Sequence, residues 1–186
     1  MKTNHPSERL EPQRRSVHPA MRQFLGCCVS VLLLLSTLAG CEPTGAGAAS
    51  LALGTGEYGF EAIGDLGTVE LVHGPQGGWH VWLSVRAENL NPVRVEMDLT
   101  TEVMGMPGTR DRSIVYLDLV PNELGGHEIL GWRAILSQPA CADGRDMIIE
   151  VRMRDQLDHE AFSAITVSPE ALDDHGYLGE CAAAGS

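Results

Sequence analysis

From residue 51 onward the chain alternates apolar and polar residues with a period of two, and turn-forming residues cut the alternation into short runs. Residues 79–86 put Trp79, Val81, Leu83 and Val85 on one face and His80, Trp82, Ser84 and Arg86 on the other. Residues 93–100 set Val93, Val95, Met97 and Leu99 against Arg94, Glu96, Asp98 and Thr100. Successive side chains of a strand point to opposite faces, so this alternation predicts strands with one wet face. The same pattern predicts strands over 68–72, 112–120, 127–136, 146–155 and 159–168. Pro75-Gln76-Gly77-Gly78, Asn89-Leu90-Asn91-Pro92, Met106-Pro107-Gly108, Pro121-Asn122 and the loop 139–144 separate them, as Gly, Pro and Asn do in turns. No helix stands out, although Ala161 to Ile165 also suits a helical turn. Seven short strands, each with one apolar face, predict an all-β fold: a seven-stranded two-sheet sandwich over 51–168, with a closed barrel as the alternative. The tail 169–186 is polar and small apart from Cys181.

The N-terminal part breaks this pattern. Residues 24–39 are apolar or small for 16 positions, whereas a spanning helix needs about 20. Arg22 precedes the run and small residues end it, which describes a cleaved signal peptide over 1–40 better than a membrane span. The 20 residues before Met21 are polar and carry three prolines. A start at Met21 gives a more compact signal than a start at Met1.

Leu38-Ala39-Gly40-Cys41 closes the apolar run and resembles the lipobox of bacterial lipoproteins, matching it at all four positions. The resemblance implies cleavage before Cys41, a diacylglyceryl group on its thiol and acylation of the new amino terminus. Several acyl chains together give stable anchoring, where one alone is marginal. The implied organisation is a lipidated Cys41 with a flexible tether over 41–50, the β domain over 51–168 and the tail. The implied location is the cell envelope. Glu42 follows the lipid cysteine, where Asp is that family's retention residue, and the reading leans to the outer rather than the inner membrane. In strand pattern the β domain resembles immunoglobulin-like and fibronectin type III-like domains. Pro75-Gln76-Gly77-Gly78-Trp79-His80 is similar to a loop and strand of bacterial lipoproteins with one sandwich domain. That resemblance implies fold and location, and brings no activity with it.

Charge and cysteine usage narrow the picture. From Cys41 onward, 8 arginines and no lysine face 23 Asp and Glu, a formal charge of −15. No basic footprint for nucleic acid exists. An acidic surface is repelled by anionic lipid, so the lipid group itself would have to hold the membrane. Cys27 and Cys28 leave with the signal, and Cys41 takes lipid. Cys141 and Cys181 then form an even pair in an oxidising compartment, which predicts a disulfide.

Candidate chemistry is sparse. Serine nucleophile elbows, phosphate-binding Gly-rich loops and zinc-protease His pairs are missing. Met104 and Met106, with His73 or His80, are the candidates for copper, because thioethers suit Cu(I) and imidazole suits Cu(II). The carboxylates of Asp143-Gly144-Arg145-Asp146 and Asp173-Asp174-His175 lack the spacing of a calcium loop. His80, Trp82 and Arg86 share a face that is either a ligand patch or a surface covered by a loop. The expectation is a non-enzymatic binding or scaffolding module with no cofactor. It would be held to the membrane through Cys41 and would meet an envelope protein or glycan. A periplasmic copper- or zinc-binding protein is the alternative.

Overall fold

A computed structural model describes residues 47–172 and 178–182. The segments expected to be a signal peptide and tether lie outside the described residues up to 46, Cys41 among them, as do Asp173, Asp174 and His175. The strands are β1 (Ser50–Thr55), β2 (Glu61–Ala62), β3 (Gly67–His73), β4 (Trp79–Glu88), β5 (Val95–Val103), β6 (Asp111–Leu117), β7 (Val120–Pro121), β8 (His127–Leu136), β9 (Met147–Arg154) and β10 (Glu160–Glu170). A short helix, α1 (Pro139–Ala142), lies in the loop before β9, and a 3-10 turn, Pro107–Thr109, lies between β5 and β6.

The all-β expectation holds, and the architecture is consistent with a sandwich. It has ten described strands rather than seven. The seven expected strands are β3, β4, β5, β6, β8, β9 and β10. The additions are β1, the two-residue β2 and the two-residue β7. Ala161 to Ile165 is strand, inside β10.

The hydrogen-bonded path runs β2-β1-β4-β3-β10-β9-β5-β6, with β8 on the other edge of β4 and β7 on β8. Strand β3 changes partner midway. Gly67 to Glu70 pair in parallel with β10, and Leu71 to His73 pair antiparallel with β4. All other pairings are antiparallel, so the sheet is mixed. Strand β10 runs on through Pro169, whose missing N–H reads as a stop in a sequence. Pro169 instead faces Val69 of β3, and its carbonyl accepts from Gly144 N at 2.7 Å.

One apolar face per strand makes the core. Val81, Leu83 and Val85 of β4 meet Val95 and Met97 of β5 and Ile149, Val151 and Met153 of β9, all nearly inaccessible to solvent. The outer faces of β5, β6, β9 and β10 carry ion pairs such as Asp98–Arg112, Glu102–Arg110 and Arg152–Glu160. Exposed pairs of this kind contribute about 0–1 kcal/mol each. They explain the alternation of charge with apolar residues more than they explain the stability.

Two local devices tie the ends of the domain. Cys141 on α1 is bonded to Cys181, which brings the segment 178–182 back to the body. Asp155 closes the turn between β9 and β10. Its carboxylate accepts from Leu157 N at 2.8 Å, His159 N at 2.9 Å and Asn91 N at 2.8 Å, the last from the distant β4–β5 connection. Asp158 holds φ at 64° there, a conformation that Asp tolerates better than most residues.

Candidate ligand-binding face

Strand β4 is buried on both faces over most of its length. Its inner face is core, as the alternation predicts. Its outer face is covered at one end by the connection from β1 to β2. Gly56 O accepts from the buried Ser84 hydroxyl at 2.9 Å, and that hydroxyl in turn accepts from Gly131 N at 3.1 Å. The Phe60 ring lies 4.4 Å from the Arg86 guanidinium, which also pairs with Glu128 at 2.9 Å. Arg86 is therefore a packing residue, held under the connection.

Gly131 makes this cover possible. The β4–β8 register slips between Leu83 and Val85, which marks a bulge in β8 around Leu130 and Gly131. Gly131 sits at φ 60°, and a Cβ there would lie 2.3 Å from Glu57 O. Gly131→Ala is expected to cost about 2–3 kcal/mol, from backbone strain and from displacement of the covering loop. Urea unfolding of the purified domain measures it. An unchanged midpoint would mean that the loop does not seat there.

Beyond the cover, the outer face stays open. Cross-strand register places Trp82 opposite Arg133 and His80 opposite Ile135. The Arg133 guanidinium lies 5.4 Å from the Trp82 ring, and the His80 ring meets Trp82 edge-on at 4.5 Å. Arg133 is exposed, Trp82 half-buried and His80 buried. Burial pushes the His80 imidazole below its usual range, Arg133 pushes the same way and Glu57 opposes them, which favours the neutral ring. Its Nε2 has no hydrogen-bond partner among the described residues. Arg133 has no carboxylate partner among them either, nor do Arg94 and Arg145, whereas Arg86, Arg110, Arg112, Arg152 and Arg154 all do. Of the three, Arg133 is the one that lies over an aromatic ring beside a pocket. A pocket of about 130 Å³ opens beside this stack, walled by Pro75, Gln76 and Gly78 of the β3–β4 turn and by Trp79, His80 and Arg133.

The copper candidates fall in different places. His73 pairs with Trp79 in the β3–β4 ladder and stacks on it at 4.8 Å. His80 is the next residue along β4, so it points to the opposite face of the sheet. Met104 and Met106 lie in the β5–β6 connection, with Met104 exposed and Met106 packed against the core. Among the described residues, no three His, Cys, Asp or Glu side chains gather to hold a metal. Asp143 and Asp146 sit in the α1–β9 loop, where the Asp143 carboxylate accepts from Ala171 N at 2.9 Å.

Arg133 carries no signal in the sequence. Its role depends on lying opposite Trp82, 51 residues earlier, and only the β4–β8 register establishes that. Comparison with protein-family models, with curated proteins and with solved structures finds no match for this chain.

Proposed function

We propose that this chain is a lipid-anchored envelope protein whose β domain is a non-enzymatic binding module. The observation that carries the binding reading is the Arg133–Trp82–His80 stack beside its small pocket. In a domain this acidic, an arginine without a carboxylate partner is an open site for an anionic group. Small-molecule sites usually measure about 300–1,000 Å³, and this pocket is well below that at about 130 Å³. It suits one protruding acidic group of a larger partner, a protein side chain or a sugar acid, better than a whole metabolite. The lipobox supports the envelope location, because partners there are presented to a protein fixed at the membrane. The lean towards the outer membrane rests on Glu42 alone.

Both halves are testable. In cells fed labelled palmitate, the wild-type chain takes up label and Cys41→Ala does not. Wild-type protein without label would sink the anchor. For binding, acetyl-glutamate and glucuronic acid are titrated into the soluble domain while the His80 ring and Arg133 guanidinium signals are followed by NMR. Movement of both signals, abolished in the other when Arg133→Ala is made, supports the site. Stationary signals with both probes return the stack to a purely structural role.

A further inference from the structure

The outer pocket is shallow, but a larger opening lies along the neighbouring edge of β8. Among the described residues, strand β6 ends the hydrogen-bonded path and pairs only with β5. Strand β8 pairs with β4, and on its other edge only its first two residues pair, with β7. The two free edges face each other across a slot of about 410 Å³. Asp111, Ser113 and Val115 of β6 line one side, and Trp132 and Ala134 of β8 line the other. Leu99 and Thr101 of β5 also line it, both buried. The start of β6 meets the end of β8, where Ser137 N donates to the Asp111 carboxylate at 2.8 Å and the Gln138 amide donates to Gly108 O at 2.9 Å. These bonds hold that end together while the ladder between the strands is missing.

We propose that this slot receives one extended segment of another polypeptide, carrying an acidic side chain, by strand addition between β6 and β8. Unpaired N–H and C=O groups on both edges can pair with an inserted strand, the recognition mode in which main-chain bonds give affinity and alternate side chains give specificity. Two polar groups at the slot await partners. The Thr101 hydroxyl is buried and has no hydrogen-bond partner among the described residues. Arg133 lines the slot as well as the outer pocket and has no carboxylate partner among them. Arg112, the other cation of the slot, is already held by Asp98 at 2.7 Å. Asp111, the slot's own carboxylate, is taken up at one end by Ser137 N at 2.8 Å, so Arg133 is the charge left to a ligand, and it specifies an acidic rather than a basic segment. The inference builds on the binding-module reading but uses a different opening, so either can fail alone.

The test uses an acetylated and amidated peptide of about six residues, the common strand length, alternating Val and Thr with one central Glu, together with its Lys twin. Binding to the soluble domain is measured by fluorescence polarisation, and amide hydrogen exchange locates it. The Glu peptide is expected to bind about tenfold more tightly than the Lys twin, and to slow exchange in both β6 and β8. Arg133→Glu is expected to reverse the preference. Gln76→Ala, at a residue that lines the outer pocket and not the slot, should leave peptide binding unchanged even if it weakens the acetyl-glutamate response. Three results overturn the proposal: neither peptide binds, binding leaves β6 and β8 exchange unchanged, or these amides are already protected without peptide. A domain found dimeric, with those amides protected at high concentration, assigns the slot to a second copy and overturns it as well.

Discussion

Cys181→Ser is expected to lower the unfolding free energy by about 4 kcal/mol, the chain-entropy value for a loop of this size. The bond joins residues 40 apart and ties the 178–182 segment to α1. Little else described in that segment secures it. Leu178 is its one residue packed against the core. Cys141 is fully buried, so its thiol would remain inside after the bond is lost. Urea unfolding under oxidising and reducing conditions reads the effect. Wild type in reductant should match Cys181→Ser, and Cys141→Ser should fall below both, because it places a hydroxyl at a fully buried position. A wild-type midpoint indifferent to reductant would mean that the bond contributes nothing to folding. The outer-face stack belongs to β4 and β8, so its ligand response should survive the substitution wherever the domain stays folded.

Asp155→Ala is expected to cost about 3 kcal/mol. The substitution strands backbone N–H groups of Asn91, Leu157 and His159 at once, and each buried donor left unpaired costs about 1–3 kcal/mol, less where water reaches it. Its effect reaches beyond the β9–β10 turn, because Asn91 belongs to the connection between β4 and β5. The same carboxylate sets a pH dependence. Burial alone would raise its pKa, but the N–H groups of Asn91, His159 and Leu157 and the His159 ring together more than offset that and hold it below the usual carboxylate range. A depressed folded-state pKa means that the stabilisation is complete above the unfolded value of about 3.9. It is lost as pH falls from there through the folded value. Unfolding curves across that acid window should show a loss for wild type that is smaller in Asp155→Asn. Parallel pH profiles for the two proteins would refute the assignment.

The strands read most plainly from the sequence, β5 and β9, each bury one apolar face; β4 alternates as they do, although the structure covers its outer face as well. Val95, Met97 and Leu99 of β5, and Ile149, Val151 and Met153 of β9, alternate with charged or polar residues, and the structure buries the apolar set. Strand β1 escaped notice because Ser50-Leu51-Ala52-Leu53-Gly54-Thr55 continues the small-residue composition of the tether. Its pairing with the second half of β4 comes from a partner 30 or more residues away. The two residues of β2 and of β7 are too few for any period to show.

The candidate site divides in the same way. His80 and Trp82 were visible as neighbours on one strand face, with two outcomes open. The structure realises parts of both: Arg86 goes under Phe60, whereas Trp82 keeps an open side beside Arg133. The turn Pro75-Gln76-Gly77-Gly78 was legible as a turn, but not as the wall of a pocket over His80.

By itself the sequence determined the β class, the inner faces of β4, β5 and β9, the acidity of the chain from Cys41 onward and the pairing of Cys141 with Cys181. These follow from local periodicity, from counting and from chemistry, none of which needs a partner strand. The tertiary structure decided the change of partner within β3, the bulge at Gly131, the meeting of Arg133 with Trp82 and the slot between β6 and β8. Each depends on strand register and on which edges stay unpaired. A period of two is unchanged by a shift of two residues, so alternation names the face of a strand and leaves its partner open.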